Sequence, residues 1–199
     1  GGTEHLNPGL FHSARTDEVV DAVAALVGDR GGVLGFSLGG NFALRVSRAL
    51  GLPALAVCPA LDPAATMDAI DSGLKLYRWY FVRKWHRALR AKAAAFPALY
   101  DFNNALRLGT VGTLTEVFVR EHTDYAEVAR YLAAYTLTGT ALDGTRATIV
   151  AALDDPIIPA AGLNELPASI EVVPVPQGGH CGFIDTLRGP GWIDRYAGD

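Results

Sequence analysis

The chain has 199 residues, of which half are hydrophobic and 19% are charged. This length suffices for one domain with a sizeable core, and this composition is typical of a folded globular protein. The formal net charge is −4, and no dense Lys/Arg block accompanies an aromatic platform on a strand, which argues against nucleic-acid binding. The chain contains no run of about 18 apolar residues, so the sequence predicts no membrane-spanning helix.

Cysteine usage and the start of the chain give further expectations. Cys58 and Cys181 match neither a disulfide framework nor a zinc-ligand spacing, so we expect reduced thiols and a cytoplasmic protein. The sequence contains no His-Glu-x-x-His motif, no paired Cys-x-x-Cys and no Walker-type motif, so we expect no metal or cofactor. The chain begins Gly1-Gly2 without a signal-peptide pattern, and we expect it to be the C-terminal part of a longer protein.

The first predicted elements alternate between helix and strand. Residues 1–15 lack periodicity and predict a loop, after which Thr16 is expected to cap a helix that ends at Gly28. A strand is predicted near residues 31–36, and the helix that follows it is expected to stop at Gly51. A continuous apolar run between prolines at 53–58 predicts a strand buried on both faces.

The tight turn after the first strand carries the most informative motif. Residues 35–39 fit the pattern G-x-S-x-G, which places Ser37 at the tip of a strained turn. Glycines two positions before and after the serine are expected to prevent clashes between the strand and the helix. The amide of Leu38 would then be unpaired, as one half of an oxyanion hole. The alternative is a glycine-rich turn with an incidental serine, which the flanking strand and helix disfavour.

Strand patterns disappear between residues 61 and 145. Residues 75–95 and 124–135 predict helices, and an insertion of this length predicts a lid between two parts of an α/β core, 1–60 and 146–199. The stretch 75–95 mixes aromatic residues with Lys and Arg. We expect the aromatics to pack the lid onto the body, whereas the alternative is a helix lying on a membrane surface, a peripheral contact.

Strands return near residues 146–153 and 169–176, so the chain predicts an α/β fold with a mostly parallel sheet and helices on both faces. An acidic pair follows the third strand, and His180 follows the fourth in a glycine-rich loop. The order serine, acid, histidine is that of a nucleophile, an orienting carboxylate and a base. Two adjacent aspartates point in different directions, so only one can meet the histidine. We choose Asp155 as the acid and expect Asp154 to hold the turn.

These motifs resemble the α/β-hydrolase superfamily and, within it, the YheT-like branch of esterases and lipases. The resembling segments are GFSLGGN at 35–41, ALDDP at 152–156, GGHCGF at 178–183, and shorter matches at 2–4 and 11–13. The resemblance implies Ser37 as nucleophile, Asp155 as acid and His180 as base. It also implies hydrolysis of carboxylic esters, so that a small-molecule ester or a lipid is the expected substrate.

The resemblance leaves part of the family pattern unmatched. Family members carry further N-terminal strands, together with the loop that completes the oxyanion hole, and we expect this chain to lack both. The elbow strand would then lack one neighbour. Two alternatives to ester hydrolysis stay open. The same three residues also serve acyl transfer and thioester hydrolysis, and a non-catalytic α/β-hydrolase-like fragment could bind ligands or partners.

Overall fold

A computed structural model describes residues 5–28, 31–186 and 191–198. The chain forms two compact units, one from Gly1–His12 and Met67–Ala134, the other from Ser13–Thr66 and Tyr135–Asp199. The short match at residues 2–4 lies outside the described residues.

Four parallel strands form the centre of the second unit. They are β1 (Val33–Phe36), β2 (Ala54–Val57), β3 (Ala147–Ala152) and β4 (Ile170–Val175). The strands pair in the order β1-β2-β3-β4, so β1 is an edge strand among the residues that the structure describes. Each strand lies within its predicted segment, and the parallel sheet is confirmed. Its carboxyl edge therefore brings together the turns that follow the strands.

Helices cover both faces of this sheet. They are α2 (Leu38–Leu50) and α7 (Trp192–Gly198), and α1 (Thr16–Leu26) packs against α2. On one face, Leu44 of α2 is fully buried in a cluster with Ala56 and Ile149. On the other, Val57 packs in a cluster with Ile193 of α7. Successive residues of β2 therefore face opposite layers, which is why its sequence is apolar throughout, and the predicted α/β-hydrolase fold is confirmed.

The helix ends of this unit follow the sequence only in part. Gly51 ends α2 in the left-handed conformation, with φ of 68°, as predicted. The predicted cap at Thr16 is wrong, because α1 begins at Thr16 and Arg15 precedes it without a side-chain cap. The Thr16 hydroxyl instead accepts a hydrogen bond from Arg45, a buried cation that also donates to the Ser13 carbonyl at 2.7 Å. Satisfying this buried charge takes precedence over capping.

The other unit is helical. It contains α4 (Lys75–Ala95), α5 (Val111–His122) and α6 (Val128–Ala133), and α3 (Pro63–Ser72) leads into it. The prediction for 75–95 is confirmed, α6 is shorter than the predicted stretch 124–135, and α5 was not predicted. Val82, Leu89 and Leu114 belong to the buried core of this unit.

The aromatic residues of α4 differ in their exposure. Trp85 packs against the buried core of the helical unit. By contrast, Trp79 is 58% exposed and Tyr80 is 50% exposed. The expectation that the aromatic residues of 75–95 pack the lid onto the body is therefore wrong for Trp79 and Tyr80. No helix within the described part of the chain has the length and hydropathy to cross a bilayer.

Candidate active site

Ser37 occupies a strained turn between β1 and α2. Its φ is 53° and its ψ is −122°, a conformation that costs a non-glycine residue about 1–3 kcal/mol. Backbone hydrogen bonds hold the turn: the Ser37 amide donates to the Val57 carbonyl at 2.9 Å, and the Ser37 carbonyl accepts from the Asn41 amide at 3.1 Å. Leu38 is the first residue of α2, so its amide has no acceptor within the helix.

The glycines around Ser37 have unequal roles. A Cβ atom on Gly35 would lie 2.1 Å from the Gly39 carbonyl oxygen, so no side chain fits there. A Cβ on Gly39 would meet nothing within 4 Å, whereas one on Gly40 would lie 3.1 Å from both the Gly35 oxygen and Pro59 Cβ. The prediction of a required glycine two positions before the serine is confirmed. The matching prediction for Gly39 is wrong, because Gly40 makes the close approach instead.

Asp155 lies in the turn that follows β3, and its side chain is only 1% exposed. Its Oδ1 accepts hydrogen bonds from the amides of Ile157 and Ile158, at 2.8 and 3.0 Å. The two amides fix the carboxylate, and its Oδ2 remains directed at His180. Asp155 therefore both closes its own turn and presents one oxygen to the histidine.

His180 connects Asp155 to Ser37. Its Nδ1 lies 2.9 Å from Asp155 Oδ2, and its Nε2 lies 2.9 Å from Ser37 Oγ. The structure thus brings together the three residues predicted from three separate turns. In this arrangement a proton on Nδ1 is held by the carboxylate, so that Nε2 is free to accept the proton of the serine hydroxyl.

Asp154 has a different partner from the one expected. Its Oδ1 accepts hydrogen bonds from the amides of Gly178 and Gly179, both at 2.8 Å. These bonds favour the ionised carboxylate and lower the pKa of Asp154 below its usual value. Asp154 therefore holds the loop that carries His180, whereas Asp155 holds the turn. The two adjacent aspartates fix the imidazole ring and the backbone beneath it.

Asn41 is a structural residue of the site to which the sequence reasoning assigned no role. It is fully buried on α2, one turn after Ser37. Its Nδ2 donates to the carbonyls of Ala60 and Tyr135, both at 2.7 Å. An amide directly after the glycines of the motif is the only sequence signal for this role. Asn41 thereby joins α2 to the segments before and after the helical unit Met67–Ala134.

Two thiols lie next to the histidine loop. Cys58 Sγ lies 4.0 Å from the Gly179 oxygen, and Cys181 Sγ lies 3.7 Å from the Val57 oxygen. Interaction with the Cys181 side chain lowers the pKa of Cys58 to about 7, and interaction with Cys58 raises the pKa of Cys181. Within the described ranges, no group of three or more His, Cys, Asp or Glu residues could hold a metal ion.

The model of the family described as "Alpha/beta hydrolase family" matches residues 2–188. No curated protein sequence matches the chain significantly. Among solved structures, a serine hydrolase from the polyaromatic hydrocarbon-degrading bacterium Cycloclasticus zankles is 17% identical with a TM-score of 0.52, over 90% of this chain and 69% of that one. At this identity the likeness supports the fold alone.

Two esterases are also similar in structure. Acetyl xylan esterase 1 from Thermoanaerobacterium sp. is 18% identical with a TM-score of 0.44, over 92% of this chain and 49% of that one. An esterase from Pyrococcus furiosus is 14% identical with a TM-score of 0.40, over 83% of this chain and 53% of that one. The chain thus spans about half the length of these two esterases.

Proposed function

Because the chain belongs to the alpha/beta hydrolase family, we propose that it is a serine hydrolase that cleaves carboxylic esters through an acyl-enzyme. In this proposal Ser37 is the nucleophile, His180 is the general base and Asp155 is the acid that orients the histidine. The observation that carries the proposal is the pair of 2.9 Å contacts that link these side chains in series. A serine hydroxyl becomes a useful nucleophile only when such a base accepts its proton.

The first half of the reaction forms the acyl-enzyme. Ser37 Oγ attacks the ester carbonyl while its proton passes to His180 Nε2, and the Asp155 carboxylate stabilises the imidazolium that results. Negative charge develops on the carbonyl oxygen. The amide of Leu38, at the start of α2, is the proposed donor to this oxyanion. The tetrahedral intermediate then collapses, and His180 returns the proton to the departing alcohol.

The second half releases the acid. Water takes the position of the alcohol and gives a proton to His180 Nε2 as it attacks the acyl carbonyl. Collapse of the second intermediate returns the proton to Ser37 and liberates the carboxylic acid. Throughout the cycle, Asp154 keeps the 178–179 backbone in place beneath the ring through its two hydrogen bonds. His180 therefore accepts and returns protons while the backbone of its loop stays in place.

Two finer points belong to the same proposal. The segments at 35–41, 152–156 and 178–183 favour the YheT-like branch of esterases and lipases, with small-molecule esters or lipids as substrates.

We further propose that the insertion 61–145 acts as a lid that sets substrate preference. If it does, shortening α4 will change the ratio of turnover on short and long acyl esters more than it changes labelling of Ser37 by a small probe. An unchanged ratio would contradict the lid.

A fluorophosphonate probe tests the nucleophile directly. The unmodified chain should be labelled at Ser37, located by mass spectrometry of the peptide, and should hydrolyse p-nitrophenyl esters. Ser37→Ala should lose both properties. Ser72→Ala is the matched control, because Ser72 is exposed on α3 and only bonds the Asp68 carbonyl. Equal labelling of Ser37→Ala and the unmodified chain would refute the assignment.

The same preparation separates the alternatives. A folded chain with a native circular dichroism spectrum that is neither labelled nor active would support a non-catalytic binding protein. Added alcohol and thiol acceptors would divert product from the free acid in an acyltransferase. Thioester substrates compared at equal acyl length would identify a thioesterase.

A further inference from the structure

One face of α4 is exposed and carries apolar, aromatic and cationic side chains at regular spacing. The α4 stripe consists of Leu76, Trp79, Tyr80, Arg83, Lys84 and Arg87, which recur three and four residues apart and so share one side of the helix. All six are exposed, and Leu76 has 69% of its surface accessible. The residues that α4 buries, including Val82 and Leu89, lie on the other side and belong to the core of the helical unit.

The charge of α4 contrasts with that of the whole chain. Its sequence, KLYRWYFVRKWHRALRAKAAA, contains Lys and Arg at seven positions and neither Asp nor Glu. The chain as a whole has a formal net charge of −4. Among the ion pairs of the described residues, none involves Arg83, Lys84 or Arg87. These three cations are therefore available to an anionic partner.

Aromatic rings and cations alternate along the α4 stripe. The Arg83 guanidinium lies 5.4 Å from the centre of the Trp79 ring, and the Lys84 ammonium lies 5.8 Å from the centre of the Tyr80 ring. Leu76 continues the apolar part, and Leu74, just before the helix, is 67% exposed. Exposed Leu, Trp and Tyr side chains can enter a membrane interface, where Trp and Tyr are enriched. Arg and Lys beside them are attracted to anionic headgroups.

We propose that the α4 stripe docks this protein on the surface of a bilayer that contains anionic phospholipids. Leu76 and Trp79 enter the boundary between headgroups and acyl chains, and Arg83, Lys84 and Arg87 contact lipid phosphates. The exposed aliphatic side chains of Leu74 and Leu76 favour a lipid surface over a nucleic acid, because nucleic-acid affinity comes mainly from cations at the phosphates. This inference rests on the helical unit alone and does not depend on the proposed function.

Vesicle binding tests the proposal. The full chain is sedimented with vesicles of phosphatidylcholine and with vesicles in which about one-third of the lipid is phosphatidylserine. We expect at least tenfold stronger binding to the anionic vesicles and weakening as salt is added. Replacing Arg83, Lys84 and Arg87 together by Gln should weaken binding by roughly 100-fold, about fivefold per cation. The tryptophan emission shift on binding should disappear in Trp79→Phe.

A charge-matched control makes the test specific. Replacing Arg107, Arg120 and Arg146 by Gln removes three exposed cations elsewhere and should leave vesicle binding within about threefold. Equal losses in the two triple variants would overturn the proposal, as would equal binding to neutral and anionic vesicles. Binding to duplex DNA but not to vesicles, lost in the α4 triple variant, would also overturn it in favour of a nucleic-acid surface. Circular dichroism establishes that each variant is folded.

Discussion

Exchanging each of the two adjacent aspartates for asparagine separates their roles. In Asp155→Asn, the side-chain carbonyl can still accept from Ile157 and Ile158, which places the new amide NH₂ against His180 Nδ1. Because an NH₂ group can only donate there, Nδ1 must become the acceptor and the ring proton must move to Nε2. Nε2 then points an N–H at Ser37 Oγ and cannot accept the hydroxyl proton.

The size of the effect follows from this exchange of tautomers. An otherwise intact site with the wrong histidine tautomer loses about 10⁴-fold in kcat, or roughly 5.5 kcal/mol of transition-state stabilisation. The substitution conserves volume at a side chain that is 1% exposed, so the fold should persist. Asp154→Asn keeps a carbonyl oxygen for the Gly178 and Gly179 amides and should lose less than about tenfold in kcat.

Initial rates of p-nitrophenyl ester hydrolysis measure kcat for both variants, and the rate of fluorophosphonate labelling reports the nucleophile separately. Thermal unfolding shows whether each variant is folded. Equal losses at the two positions, or a larger loss in Asp154→Asn, would refute the assignment of Asp155 as the acid.

Three further predictions concern the surroundings of the site and the helical unit. Gly35→Ala should unfold at lower denaturant and lose turnover, because its Cβ would meet the Gly39 oxygen at 2.1 Å, while Gly39→Ala should match the unmodified chain; equal stability of the two variants would contradict the close approach. Asn41→Ala should lose about 2–5 kcal/mol of unfolding free energy, since two buried carbonyls lose their donor, whereas the exposed control Asn164→Ala should change it by less than about 0.5 kcal/mol. Burial lowers the pKa of His122, so its contribution to stability is present above the unfolded pKa of about 6.5 and is lost as pH falls below it. The melting temperature of His122→Phe should therefore fall less than that of the unmodified chain between about pH 7 and pH 5, and an identical fall would refute this linkage.

The predictable parts of the site are those with local causes. Gly35 is required because the backbone of Gly39, only four residues later, passes close to its Cα. The spacing of the motif therefore reveals the turn. The strands were predictable because β2 and β3 are buried on both faces and read as continuous apolar runs. Since parallel strands end at one edge, the order of Ser37, Asp155 and His180 in the sequence was enough to predict that they meet.

The parts that escaped prediction depend on partners distant in sequence. The acceptors of the Asn41 amide and the donors to Asp154 come from other segments, 19 to 94 residues away, and no local pattern reports them. In α4, cations occur on both sides of the helix. The Lys92 ammonium is buried and donates to the Asn7 carbonyl at 2.6 Å, so charge alone does not reveal that Trp79 is on the exposed face.

The hydrogen bonds around Asn41 also bear on how this sequence can change over time. The chain leaves the sheet after β2 and returns before β3, and the amide of Leu137 donates to the Leu61 carbonyl at 2.7 Å beside the two bonds from Asn41. The segments that leave and re-enter the sheet are thus bonded to each other and to α2, the helix that follows Ser37. With its ends fastened, the segment between them can double in length at a closure cost of only about 0.6 kcal/mol. Residues 67–134 can therefore change in length and sequence at little cost to the turn that holds Ser37.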